Sequence, residues 1–327
     1  MIERGDKMNS EKKKMWTILL HLGSNMWGKP ESKPKYEPMD TNYHETMYCD
    51  KNTWKDVIDF LPKCGINTVL IDMGEGVKLD SHPELAISGS WEKEEFKQEL
   101  KRIRDMGITP LPKYNFSCAH NAWMQDYGYM VGTKTYDQVC EDIVAEAIEL
   151  FDYPEFIHLG LEEEDSATQQ NFAVRIVRSP QKKTEDALKL FNVCKKRGVR
   201  PWIWMDPKTL QAFGGENEFR KNIPKDVLIS NWFYPLIPSG KYKEWVELYN
   251  RLEEWGYEQV PTCSTIETPF NPGQTVHYCR DNIQDSNLRG IMTAPWVFTT
   301  PTWYYRILSD AWVFGQGKKQ FYPEETK

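Results

Sequence analysis

No stretch of this 327-residue chain is apolar for long enough to approach a membrane span. The apolar run from Trp16 to Leu22 is interrupted by His21 and followed by Gly, Ser and Asn, with no small-residue cleavage site. It does not read as a signal peptide, so a cytoplasmic location and no membrane partner are expected. Cysteine is sparse and scattered: Cys49, Cys64, Cys118, Cys140, Cys194, Cys263 and Cys279 are odd in number and form no CxxC or Cys/His cluster. A disulfide framework and a structural zinc site are therefore not expected, and a reducing compartment fits better. Basic groove residues are also lacking. With a net charge of -7, and with Lys12, Lys13 and Lys14 confined to a tail, nucleic acid is excluded as an expected partner. No low-complexity segment, linker or repeated acidic metal-ligand set appears, and neither a metal nor a cofactor is expected.

What the chain has in excess is flat amphipathic rings, thirteen Trp and sixteen Tyr. Such rings pack cores and also make platforms for sugars and other ring-shaped ligands. Short β-rich runs at 16–24, 67–74, 109–116, 155–162, 200–206, 226–234, 258–266 and 290–296 alternate with amphipathic helical stretches. The helices are expected at 52–63, 91–106, 135–151, 180–197, 209–221, 241–255, 274–287 and 301–314. Eight strand–helix units in one chain of this length predict a single (β/α)8 TIM barrel over 15–316, with tails at 1–14 and 317–327. Gly65, Gly107, Gly198, Gly256 and Gly290 fall where left-handed caps are wanted. Ser179-Pro180 reads as a helix start, as does Asn52 or Thr53. The long loops, among them 24–51 and 162–179, follow the strands' carboxyl ends, where a barrel places its site.

The sequence EFIHLGLEEED, Glu155 to Asp165, is an apolar strand that ends abruptly in acid. Crowded carboxylates raise the pKa of whichever is least solvated, so one could act as a proton donor. The other strand ends carry Asp72, Asn115 with His120 nearby, Trp204 and Asp206, Trp232, Glu267 and Trp296. Acids that move protons, amides that bind hydroxyls and indoles that cover a ring are what glycosidic hydrolysis requires. His158, inside a strand, reads as a core histidine, and Asp206 before Pro207 doubles as a candidate helix cap.

The stretches GINTVLIDMGEGVKLDSHPEL (65–85), GITPLPKYNFSCAH (107–120) and ELFDYPEFIHLGLEE (149–163) resemble the second to fourth strands of the family 20 glycoside hydrolases, the β-N-acetylhexosaminidases. The resemblance implies Glu163 as general acid and Glu162 in place of the aspartate that orients a nucleophilic acetamido group. It further implies a sugar subsite walled by Trp204, Trp232 and Trp296. Leu161 stands where the family has a second glycine, and Asn115 where it has a carboxylate before the histidine. The strand-one arginine, the acidic residue after the strand-eight tryptophan and the small α+β domain ahead of the barrel have no counterpart. The expected function is an exo-acting glycoside hydrolase on a terminal hexosamine or related hexose, its partner a carbohydrate. Glu163 is expected to carry a raised pKa while Glu162 stays ionised. If plain hexosides are cleaved, Asp206 and Glu267 are the candidates for a second carboxylate. A carbohydrate-binding barrel without turnover and a metal-dependent sugar isomerase or epimerase are the alternatives. The oligomeric state is not legible.

Overall fold

The computed structural model describes residues 13–32, 41–170, 172–237 and 240–326. Most of the N-terminal tail expected at 1–14, and residues 33–40 of the loop at 24–51, lie outside the described residues.

Eight parallel strands form one sheet: β1 (Met15–His21), β2 (Thr68–Asp72), β3 (Thr109–Lys113), β4 (Phe156–His158), β5 (Arg200–Met205), β6 (Leu228–Asn231), β7 (Thr262–Cys263) and β8 (Gly290–Thr293). The order β6-β5-β4-β3-β2-β1-β8-β7 is that of a barrel opened between its sixth and seventh strands. Parallel bridges Ile229 to Gln259 and Trp232 to Thr262 close that gap. The chain is a (β/α)8 TIM barrel.

Alternation along each strand separates two cores. Leu19, Leu70, Leu111, Phe156, Trp202, Leu228 and Met292 fill the barrel interior. Ile18, Val69, Ile71, Ile157, Ile203 and Ile229 face the surrounding helices. Those helices are α1 (Lys51–Phe60), α2 (Lys93–Asp105), α3 (Lys134–Leu150), α4 (Pro180–Lys196), α5 (Pro207–Ala212), α6 (Gly215–Asn222), α7 (Lys243–Glu254), α8 (Asn271–Asn282) and α9 (Tyr304–Phe321).

Local chemistry explains most boundaries. Ser179 caps α4 by accepting from the Lys182 N–H, with Pro180 in the first turn. For α1 the cap is Asp50, which accepts from Thr53 N and Oγ1, so neither Asn52 nor Thr53 serves. Gly65, Gly107, Gly198 and Gly256 take positive φ as expected, but Gly290 does not. It opens β8, where an added Cβ would collide with the Met15 carbonyl. The expected tail at 317–327 is largely helical: α9 continues to Phe321, and Trp16 Nε1 donates to Glu325 at 2.6 Å. Strands β4 and β7 are shorter than the apolar runs suggest: positive φ at Gly160 and Leu161 turns the chain soon after β4, and ahead of β7 Gln259 pairs only through isolated bridges.

Candidate active site

The uppermost inward layer of the barrel is polar. Neighbouring strands place His21 beside Asp72, Asp72 beside Lys113, and Lys113 beside His158. Lys113 Nζ lies 2.6 Å from Asp72, and His21 Nδ1 lies 3.2 Å from the same oxygen. Burial alone would push Asp72 upward, but the Lys113 ammonium and His21 hold it well below the usual carboxylate range. Asp72 is thereby spent beneath the site and is not among the pocket-lining side chains, contrary to the sequence expectation. His158 is a core histidine as expected. Burial, reinforced by Lys113, keeps it neutral, and its Nδ1 accepts from the Gly160 N–H at 3.0 Å.

Above this layer the chain leaves β4 through a tight turn. Gly160, Leu161 and Glu163 have φ of 72°, 74° and 51°. Side chains on a continuing strand would point to opposite faces, and the turn is what lets Glu162 and Glu163 converge. The rest of the acidic run is drawn elsewhere. Glu164 is buried against Arg178, whose Nε donates to it at 3.0 Å. Asp165 accepts from the N–H groups of Ala167 and Thr168.

His120 sits between the two remaining glutamates, with Nδ1 3.3 Å from Glu162 and Nε2 3.4 Å from Glu163. Asn115 donates to Glu162 Oε1 at 2.7 Å, so it orients that carboxylate from behind rather than lining the pocket. Burial would lower the His120 pKa, yet the charge of Glu162 and the hydrogen bond and charge of Glu163 raise it overall. Glu162 is driven up by burial, against the pull of His120 and Lys113. Burial pushes Glu163 the same way, but its hydrogen bond and charge contact with His120, helped by Lys208, leave it below its ordinary value. The expected order of the two carboxyls is thus reversed. Glu163, one-third exposed, lies 3.4 Å from His120 Nε2, while Glu162 is almost wholly desolvated.

These groups open into a pocket of about 180 Å³, room for roughly six waters or one sugar ring. Met26, Trp27, His120, Glu162, Glu163, Trp204, Trp232, Tyr234, Ile266 and Trp296 line it. The aromatic wall is continuous: Trp232 and Tyr234 stack at 5.3 Å, and Trp296 lies 5.9 Å from Trp204 and 6.2 Å from Tyr234. Glu162 Oε2, His120 Nδ1 and Trp204 Nε1 are buried without a protein hydrogen-bond partner among the described residues. Unpaired polar atoms beside aromatic faces suit a ligand that carries both hydroxyls and an apolar ring face.

His120, Glu162, Glu163, Trp204, Trp232 and Trp296 therefore meet as expected. Asp206 does not join them. Buried at the head of α5, it accepts from Lys208 N, Thr209 N and Thr209 Oγ1, and the capping role takes both its oxygens. Glu267 is exposed on the loop after β7, and the pocket is lined there by its neighbour Ile266. Tyr234 was missed, although it follows Trp232 by two residues and so shares its face. Among the described residues, no group of three His, Cys, Asp or Glu side chains is arranged to hold a metal ion. No described helix is long and apolar enough to cross a membrane.

No family model and no curated protein matches the chain by sequence. Solved structures do. β-N-acetylhexosaminidase from Bacteroides fragilis is similar with a TM-score of 0.61 at 13% identity, over 95% of this chain and 71% of that one. A Streptomyces plicatus β-hexosaminidase variant in complex with the product GlcNAc gives 0.60 at 11% identity, over 96% and 69%. The family 20 exo-β-N-acetylglucosaminidase from Vibrio harveyi, in complex with N-acetylglucosamine, gives 0.59 at 12% identity, over 96% of this chain and 57% of that one. The chain thus spans between about half and three-quarters of the length of these structures. At such identities the likeness establishes one thing, the barrel that this chain shares with the β-N-acetylhexosaminidases.

Proposed function

We propose that the protein is a glycoside hydrolase that removes a terminal 2-acetamido sugar, with the sugar's own acetamido oxygen as nucleophile. The observation that carries this reading is the row Glu162, His120, Glu163 at the mouth of a one-ring aromatic pocket whose described lining has no other carboxylate. A retaining or inverting mechanism that uses two protein carboxylates needs them on either side of the scissile bond. Here the two are joined through one imidazole, Asp206 is held as a helix cap and Glu267 does not line the pocket. A nucleophile supplied by the substrate removes the need for the second group.

In this reading Glu163, the more exposed of the pair, faces the glycosidic oxygen. Its proton comes from His120: as the sugar enters and excludes water, the ion pair collapses by transfer from Nε2 to the Glu163 carboxyl, which then protonates the leaving group. Glu162, held by Asn115, accepts from the acetamido N–H and steadies the charge that develops on the forming ring. Trp204, Trp232, Tyr234 and Trp296 enclose the sugar, and the size of the pocket supports exo action on a single residue.

The test is a panel of aryl β-glycosides with and without a 2-acetamido group, run on the wild type and on Glu163→Gln. Turnover should require the acetamido group. The variant should lose several orders of magnitude on poor leaving groups and far less on acidic phenols, which need less protonation. Equal losses across leaving groups would remove Glu163 as the acid. A second reading, a sugar-binding barrel without turnover, draws on the sequence departures at strands one and eight. Binding of a monosaccharide with no hydrolysis of any glycoside would favour it.

A further inference from the structure

Once β4 ends at His158, the backbone of the turn carrying Glu162 and Glu163 leaves the strand ladder. Its carbonyls need other partners, and three of the four between Gly160 and Glu163 find them on other elements. Gly160 O accepts from Trp204 N at 3.1 Å, and Glu163 O accepts from Asp165 N at 2.9 Å. The two carbonyls between them are held by side chains. Lys183 Nζ, from α4, donates to Leu161 O at 2.7 Å, and Ser117 Oγ, from the loop after β3, donates to Glu162 O at 2.5 Å. Both donors are fully buried.

A fully buried lysine is heavily penalised by desolvation unless it is well used. Lys183 lies 3.5 Å from Glu164, a carboxylate it shares with Arg178. Its short bond is to the carbonyl of Leu161. That residue has a side chain buried in the outer core and a backbone at φ 74°, a left-handed conformation that is strained for a residue other than glycine.

We propose that Lys183 and Ser117 are positioning residues. By pinning the consecutive carbonyls of Leu161 and Glu162, they hold the left-handed turn that aims both glutamates at His120. Their importance to catalysis rests on the function proposed above, whereas their effect on geometry does not.

The test therefore reads geometry without substrate. The His120 ring resonance, assigned by its loss in His120→Gln, is titrated by NMR in the wild type, Lys183→Met and Ser117→Ala. If the turn relaxes and the glutamates withdraw, the His120 pKa should fall by roughly one unit in each variant. Loss of the Lys183 charge alone would shift it upward, since a nearby cation disfavours the imidazolium. A fall thus supports positioning, and an unchanged or raised value in the variants overturns it. Should Lys183→Met fail to give a dispersed spectrum, Ser117→Ala decides, because it removes one pin and no charge. If the protein hydrolyses glycosides, kcat of the folded variants should fall about 10- to 100-fold with KM within threefold, as expected for misaimed rather than missing groups. Loss of KM with kcat unchanged would count against the proposal. An inactive wild type would bear on the proposed function and leave the NMR result standing.

Discussion

His120 concentrates the chemistry of the pocket because it is flanked by carboxylates on both ring nitrogens. Its pKa is raised from 6.5, so the stability it contributes is fully present below about pH 6.5 and lost as pH rises through its folded value. Glu163 is lowered from 4.5, so its contribution is present above about pH 4.5 and lost as pH falls through its folded value. The pair is strongest between those limits. His120→Gln should accordingly lower Tm more at about pH 6 than at about pH 9, as thermal unfolding in matched buffers would record. Equal losses at both values would mean that the imidazole is neutral in the fold. Asp206 makes the opposite case, a residue whose type suited the site and whose position did not. Asp206→Ala should cost about 0.5–2 kcal/mol by denaturant unfolding, the scale of a lost helix cap, with sugar affinity unchanged. The sequence showed the acidic cluster, but which carboxylates reach the pocket depended on Arg178 capturing Glu164 and on Lys113 capturing Asp72. Those partners are distant in sequence, and their pairing could not be read from spacing.

Among the elements, the turn after β4 is the most constrained. Gly160 has φ 72°, and an added Cβ would overlap the Asn115 carboxamide that orients Glu162. Gly160→Ala should therefore destabilise the protein by about 1–3 kcal/mol and displace Asn115, measurable as a lower denaturation midpoint together with weaker ligand binding. The aromatic wall divides into two kinds of residue. Trp232 and Trp296 are partly exposed, and truncating either to Ala should weaken a bound monosaccharide by about 1–3 kcal/mol in calorimetry. Trp204 is buried and packs on His158 at 4.6 Å. Trp204→Ala should instead cost about 3–5 kcal/mol of folding stability. Strands and helices were legible because alternation and amphipathic periodicity are local properties. Their ends were less so: the cap of α1 came from Asp50, outside the apolar pattern, and α9 ran past its expected end to Phe321, its Lys318 lying over the Trp16 ring.

For the whole molecule, the eight-fold repeat of strand and helix was written plainly enough to give the barrel and the end at which its site lies. The roles of the glutamates were not, because their proton affinities arise from burial and from an imidazole that the fold brings between them. The central claim is that the carboxylate pair joined through His120 works with a nucleophile carried by the substrate. Its most direct measurement is hydrolysis of aryl 2-acylamido-2-deoxy-β-glycosides whose acyl group bears none, one, two or three fluorines. Fluorine withdraws electrons from the acyl oxygen and makes it a poorer nucleophile, while the leaving group and the ring stay the same. A steep fall in kcat with each fluorine is the predicted result, and a rate indifferent to fluorination would contradict the claim.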